Sequence, residues 1–291
     1  MHFADQMMMF TTLVVILNSL VVPGNSFTVS SLSSQRIPSH LHVRSSIHFD
    51  GGLTSGLISN LAELALKVRL KGQTGVECNV SANSSDLLFK GRVGPVTVKG
   101  RGWKSQLGLS CRAIEATVDT CELDVGRILS NRKLVLTTPA TGQATIALNN
   151  VDFANFITHP YMQPPALRQK DGEKFAFLKE GTVVDASSGN VTFFGLYMGH
   201  KWKLILTRGQ AKQRAKVIAT PEGTTTISDL DATSAELSLA MTNFFNEMKF
   251  ELDGTWLTFK DMMVTAKGSS PSLMLRLNII VKKFPSPGLA F

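Results

Sequence analysis

Between Lys90 and Met162 the chain runs through one alternating segment after another, KGRVGPVTVKGRGW, LGLSCRAIEATVDTCELDV and KLVLTTPATGQATIALNNVDFANFITHPYM. A period of two sends successive side chains to opposite faces, so each segment reads as a strand with one apolar face. A short amphipathic helix, Asn149 to Ile157, closes the series, with Asn149 or Asn150 as its cap and Asp152 in its first turn. No recognisable catalytic residue lies in this stretch. It is a scaffold for enclosing something apolar.

The same pattern extends in both directions. Val76, Cys78, Val80 and Ala82 alternate, as do Val93, Val96 and Val98. Leu107, Leu109, Cys111 and Ala113 give way to Ile114, Ala116 and Val118, a change of phase that predicts a β-bulge and a bent sheet. Past a polar, Pro-rich loop at His159 to Lys174, further strands are expected at Phe175 to Val184, Asn190 to Met198, Lys201 to Leu206 and Arg214 to Ala219. A last set is expected at Phe250 to Leu252, Thr255 to Lys267 and Leu273 to Lys283.

Helical spacing appears twice more. In Gly51 to Gly72, Leu57, Leu61, Leu64 and Val68 form a stripe, widened by Ile58 and Ala65. From Thr233, where Thr233-Ser234-Ala235-Glu236 has the pattern of a capping box, to about Lys249, the apolar face is Leu237, Met241, Phe244, Phe245 and Met248. Wide apolar helix faces among long antiparallel strands predict an α+β fold with a sheet curled around amphipathic helices.

The formal net charge is +8, and nearly all of it lies beyond Phe49, since the residues before Asp50 hold only Arg36, Arg44 and Asp5. A basic body favours anionic partners. Its cations are mostly scattered singly, without the clustered Lys/Arg and interleaved aromatics that read nucleic acid, so an anionic membrane surface is the expected partner and nucleic acid is not. Charged residues make up only 18% of the chain against 43% hydrophobic, and that apolar excess belongs in a core, against a ligand or on a membrane. Three cysteines, Cys78, Cys111 and Cys121, without C-x-x-C spacing read as buried, inert thiols. His159 and His200 stand alone, and no G-x-S-x-G, H-E-x-x-H, P-loop or G-x-G-x-x-G occurs, so the expectation is no enzyme and no cofactor or metal.

Residues 1–26 read as a signal peptide, with the apolar run Phe10 to Val22 followed by Pro23-Gly24-Asn25-Ser26. Residues 27–50 read as a transit-peptide-like segment. FTVSSLSSQRIPSHLHVRSSIHF, Phe27 to Phe49, holds two Arg, many Ser and no acid. With Phe at the junction, the pair resembles the bipartite import sequence of algae with complex plastids, which implies a plastid protein; the alternative is an ordinary secreted or endomembrane one. Residues 51–291 are left for the folded domain.

The strand, Gly-rich turn, strand and helix-start succession, ending in ALNNVDFANFI at Ala147 to Ile157, resembles the LmeA-like phospholipid-binding family of cyanobacterial and actinobacterial proteins. The similarity extends over roughly Thr54 to Pro285. It implies an elongated α+β fold likened to tubular lipid-binding domains, and a non-enzymatic role in binding or transferring phospholipid or glycolipid. Such a role needs only a dry channel: burying ~16 methylenes at ~0.8 kcal/mol each supplies ~13 kcal/mol without any reactive group. On that expectation the lipid-lining candidates are Leu57, Leu61, Leu64, Phe153, Phe156, Leu237, Met241, Phe244, Phe245 and Met248. The membrane-contact candidates are Trp202 with Lys201, Lys203, Arg208, Lys212 and Arg214, and Trp103 and Trp256 are further candidates for a membrane interface. The rival reading is a structural or assembly factor that docks a membrane protein through the same basic, apolar surface.

Overall fold

The computed structural model describes residues 70–283 except 82–85, 87–88, 106–107, 128–134, 161, 166, 168–173, 211–213, 224–229, 253 and 267–269, together with Ser59, Asn60, Glu63 and Lys67. The expected signal and transit segments, Leu57, Leu61, Leu64 and Lys212 therefore lie outside the described residues. Of the expected first helix, Ser59, Asn60, Glu63 and Lys67 are helical, while Leu70, Lys71 and Gly72 are not.

The fold is α+β and mostly antiparallel sheet. Seven strands form the larger sheet. They are β1 (Gly75–Val80), β3 (Val96–Lys104), β4 (Ser110–Val118), β6 (Ala140–Leu148), β11 (Lys249–Leu252), β12 (Thr255–Thr265) and β13 (Ser272–Val281), in the order β1-β3-β4-β6-β13-β12-β11. The smaller sheet is a meander, β10-β9-β8-β7, of β7 (Ala176–Asp185), β8 (Asn190–Tyr197), β9 (His200–Arg208) and β10 (Ala215–Pro221). A two-stranded ladder joins β2 (Arg92–Val93) to β5 (Cys121–Glu122). Two helices complete the fold, α1 (Asn150–Ile157) and α2 (Leu230–Asn246). The C-terminal strands return to pair β13 with β6, so the larger sheet is stitched from both ends of the domain.

The core follows from alternation. Leu273, Leu275, Leu277, Ile279 and Val281 of β13 are all buried, and so are Val191, Phe193 and Tyr197 of β8 and Trp202, Leu204 and Leu206 of β9. One cluster of buried side chains runs through both sheets. The sheets touch where β9 meets β12 and β7 meets β13; α1 bridges β7 to β4 and β6, and α2 bridges β10 to β12.

Two local expectations need correction. The phase of burial does change along β4, from Cys111 to Ala116 and Val118, but no residue is inserted in the β3–β4 register. The ladder skips only the pair opposite Gly102, whose φ of 58° is a left-handed conformation that favours glycine. Beyond it the Trp103 ring folds back over Gly100, where a β-carbon would collide with the indole. Second, α2 begins at Leu230, so Thr233 lies inside the helix and is buried rather than acting as a cap. The first helix of the series, by contrast, has its capping box on Asn149 and Asp152, with backbone-to-side-chain bonds of 2.9 and 3.1 Å.

Ser234, the second residue of that pattern, donates from its hydroxyl to the carbonyl of Ala219 on β10. It begins a stripe of polar residues every fourth position along α2. The amide N–H groups of Ala219, Val217 and Ala215 donate to Ser238 Oγ, Thr242 Oγ1 and Asn246 Oδ1 at 2.9, 2.9 and 3.0 Å, and Asn246 Nδ2 donates back to the Ala215 carbonyl at 2.8 Å. Replacing Asn246 by Ala strands a backbone donor and acceptor together. We expect a loss of about 1–3 kcal/mol in urea-unfolding free energy with an unchanged denaturant slope.

Candidate functional site

The faces of α1 and α2 expected to line a lipid channel are instead packed against one another. Phe153, Leu237, Met241, Phe245 and Met248 are buried in the core, and Phe156 and Phe244 sit half-buried at its margin. Phe153 of α1 lies 5.7 Å from Phe193 in an edge-on contact and 6.3 Å from Phe245 in a stacked one. Phe245 in turn meets Phe193 at 6.0 Å and Phe244 at 5.2 Å, and Phe177 of β7 joins the cluster through Phe193 and Phe244. Rings at these separations are in packing contact. At these positions the channel reading is therefore replaced by ordinary core. The two roles need the same residue types, which is why spacing did not separate them.

The membrane-contact candidates divide by face. Trp202 is 0% exposed and points into the core, where its Nε1 donates to the Tyr197 carbonyl at 3.2 Å. Trp103 is buried as well, donating from Nε1 to the Gly75 carbonyl at 3.0 Å. Neither tryptophan reaches a membrane. Trp256 is half-buried, with the amines of Lys282 and Lys249 lying 3.4 and 5.3 Å from its ring centroid. Arg208 also leaves the proposed cationic flank: its guanidinium donates to the buried Asp261 carboxylate of β12 at 3.1 Å, an ion pair that ties β9 of the smaller sheet to the larger one. Arg276 approaches the same carboxylate at 3.8 Å. Arg214 is exposed at the entry to β10.

Lys201 and Lys203 alternate with Trp202 and so occupy the outer face of the smaller sheet. Register places Phe194 beside Lys203, which faces Thr220, and Leu196 beside Lys201. The adjacent row is Val183, Thr192, Ile205 and Ile218, and Lys216 lies opposite Thr207 in the row beyond. Val183, Leu196 and Ile218 are 48, 43 and 42% exposed, large fractions for apolar strand residues. Lys201 lies 4.4 Å from the centroid of the Phe194 ring and pairs with Glu222 at 2.5 Å. This sheet face therefore mixes exposed aliphatic side chains with three lysines. Lys216, Val183, Leu196 and Ile218 were missed because charge and hydropathy were read along the chain, whereas this surface is assembled across four strands.

The cysteines are free and hold back from chemistry. Burial pushes the Cys78 and Cys111 thiols up to about 12, helped by the Glu63 and Asp152 carboxylates, and burial takes Cys121 to about 11. Asp185, in an exposed turn, is held down at about 2 by hydrogen bonds from Ser187 and Ser188. Among the described residues no group of three or more His, Cys, Asp and Glu is placed to hold a metal ion, and no helix is long and apolar enough to cross a membrane. No family model, curated protein or solved structure matches the chain.

Three outcomes follow from this packing. Phe245→Ala should destabilise the protein by about 3–5 kcal/mol, as a core truncation does, whereas a channel-lining ring would be lost at little cost; denaturant unfolding distinguishes them. Thiols raised above their unfolded value near 9 stay protonated in the native state, and unfolding releases protons as pH rises from about 9 to about 12. Stability should thus fall with alkalinity over that window. At pH 8 a thiol reagent should label Cys78 and Cys111 only after denaturant is added.

Proposed function

We propose that this is a non-enzymatic, LmeA-like lipid-binding protein of a plastid membrane, which binds or transfers phospholipid or glycolipid and meets the anionic bilayer with the outer face of its four-stranded sheet. The observation that carries this reading is the interleaving of Lys201, Lys203 and Lys216 with exposed Val183, Leu196 and Ile218 on one sheet face. A lysine at an anionic membrane surface contributes ~1 kcal/mol. Lys201 contributes less, because Glu222 already offsets it. The aliphatic side chains add burial at the headgroup boundary, and the sum is a reversible, peripheral association rather than a permanent anchor. A tubular wrap of the sheet around α1 and α2 belongs to the same proposal; it is supported by the way each helix bridges the two sheets.

Flotation of the full-length chain with vesicles tests the docking face. Binding should be strong on vesicles containing phosphatidylglycerol, weak on phosphatidylcholine alone, and reduced by salt. The double variant Lys203→Glu/Lys216→Glu should lose at least about tenfold in partitioning with no change in unfolding midpoint. Arg208→Ala should do the reverse, destabilising by about 1–3 kcal/mol through the loss of its charged hydrogen bond to Asp261 while leaving vesicle binding intact. Indifference to lipid charge would overturn the docking face. Loss of protein-free vesicle binding with retained capture by membrane protein would favour the assembly-factor reading. A fluorescent reporter fused behind residues 1–50 tests location, and a signal confined to the secretory route would overturn plastid residence.

A further inference from the structure

The outer face of the seven-stranded sheet carries a second, differently built surface. Register lines up Met263, Met274, Ala147, Ala113, Arg101 and Gly75 in one row across β12, β13, β6, β4, β3 and β1. The next row along the strands is Arg276, Thr145, Glu115, Lys99 and Glu77. Over the two rows lies an open depression of about 600 Å³, with Met274, Ala147, Ala113 and Arg101 along one wall and Lys99 and Glu77 along the other. Its hollow has a simple cause: two alanines and a glycine stand where neighbouring positions carry methionine, arginine, lysine and glutamate.

The trough has the length of one acyl chain. Three interstrand steps of about 4.8 Å separate Met274 from Arg101, roughly 14 Å in all, against about 15 Å for the hydrocarbon of one bilayer leaflet. Rows on one face of a strand repeat at only about 6.6 Å, the width of a single chain rather than two. Met274 at the far end suits a mobile tail, since a thioether adapts its shape.

The near end selects the headgroup. Lys99 and Glu115 neutralise each other at 3.5 Å. Arg101 and Glu77, diagonal neighbours on β3 and β1, are both exposed, and neither has an ion-pair partner among the described residues. A free cation and a free carboxylate about 7–8 Å apart complement a group that carries both signs. A purely anionic head would meet Glu77 and Glu115 as well as Arg101, and a purely cationic one would meet Arg101 and Lys99.

We infer that this depression binds a single-chain zwitterionic phospholipid, with its tail over Ala113, Ala147 and Met274, its phosphate on Arg101 and its ammonium on Glu77. The inference rests on the lipid-binding reading above and supplies its ligand class. It uses the opposite sheet from the docking face, so the two fail separately.

Calorimetric titration of the full-length chain with lysophosphatidylethanolamine, below its micelle concentration, tests it. Saturable binding at one site is expected, several-fold tighter than that of lysophosphatidylglycerol of the same tail. Ala113→Trp fills the trough and should abolish binding. Arg101→Ala, at an exposed position where folding is not at stake, should weaken it about fivefold, and Glu77→Ala should remove the preference for the zwitterion. Lys203→Glu/Lys216→Glu should bind this lipid as the unmodified chain does. Absence of binding to the unmodified chain, equal affinity for the two headgroups, or full affinity in both Ala113→Trp and Arg101→Ala would each overturn the site. Vesicle flotation that fails while this titration succeeds removes the docking face alone.

Discussion

The hydrogen-bonded seam between α2 and the edge of β10 sets the position of almost everything else. Four residues of helix rise about 6.0 Å and two residues of strand about 6.6–6.8 Å, so a polar side chain at every fourth helical position stays close to every second residue of a strand for several turns. Ser234, Ser238, Thr242 and Asn246 use that near-match to satisfy the outward amides and carbonyls of Ala215, Val217 and Ala219. An edge that would otherwise template pairing with another chain is closed by side chains instead. The stripe one residue earlier, Thr233, Leu237, Met241 and Phe245, is thereby turned into the core.

The same device recurs at two other edges. Val80 and Cys78 of β1 donate their amides to Ser59 Oγ and Glu63 Oε1, and Val184 of β7 donates to Asn150 Oδ1 of α1. Once α1 and α2 are held at sheet edges in this way, their apolar faces meet each other and the inner faces of both sheets. Phe153, Phe193 and Phe245 then form a ring-to-ring cluster that fills the middle. The two outer sheet faces differ: one is a lysine-studded aliphatic surface and the other a shallow trough with a mixed-charge end.

Much of this was legible in the residues. Alternation located the strands of both sheets to within a few positions, because a one-residue slip would turn a whole apolar set toward water. Asn149 and Asp152 marked the start of α1 since their side chains serve the first-turn amides locally. The signal for the α2 seam was also present, in Ser, Ser, Thr and Asn spaced by four, but its first member lay within the Thr233-Ser234-Ala235-Glu236 pattern of a capping box and the other three do not alter the apolar stripe beside them. Trp202 and Arg208 were placed wrongly for a related reason. A tryptophan between two lysines looks like an interfacial anchor along the chain, yet alternation puts it on the opposite face, and the carboxylate that claims Arg208 lies 53 residues away.

What the sequence determined by itself is therefore what depends on near neighbours: strand and helix periodicity, the caps, the apolar content of each face and the basic charge of the whole. Only the tertiary structure decided whether an apolar face became wall or filling, which lysines stand together and where two alanines leave a hollow. Those outcomes depend on cross-strand register and on which helix closes which edge, and contacts between residues distant in the chain are not encoded in any local period.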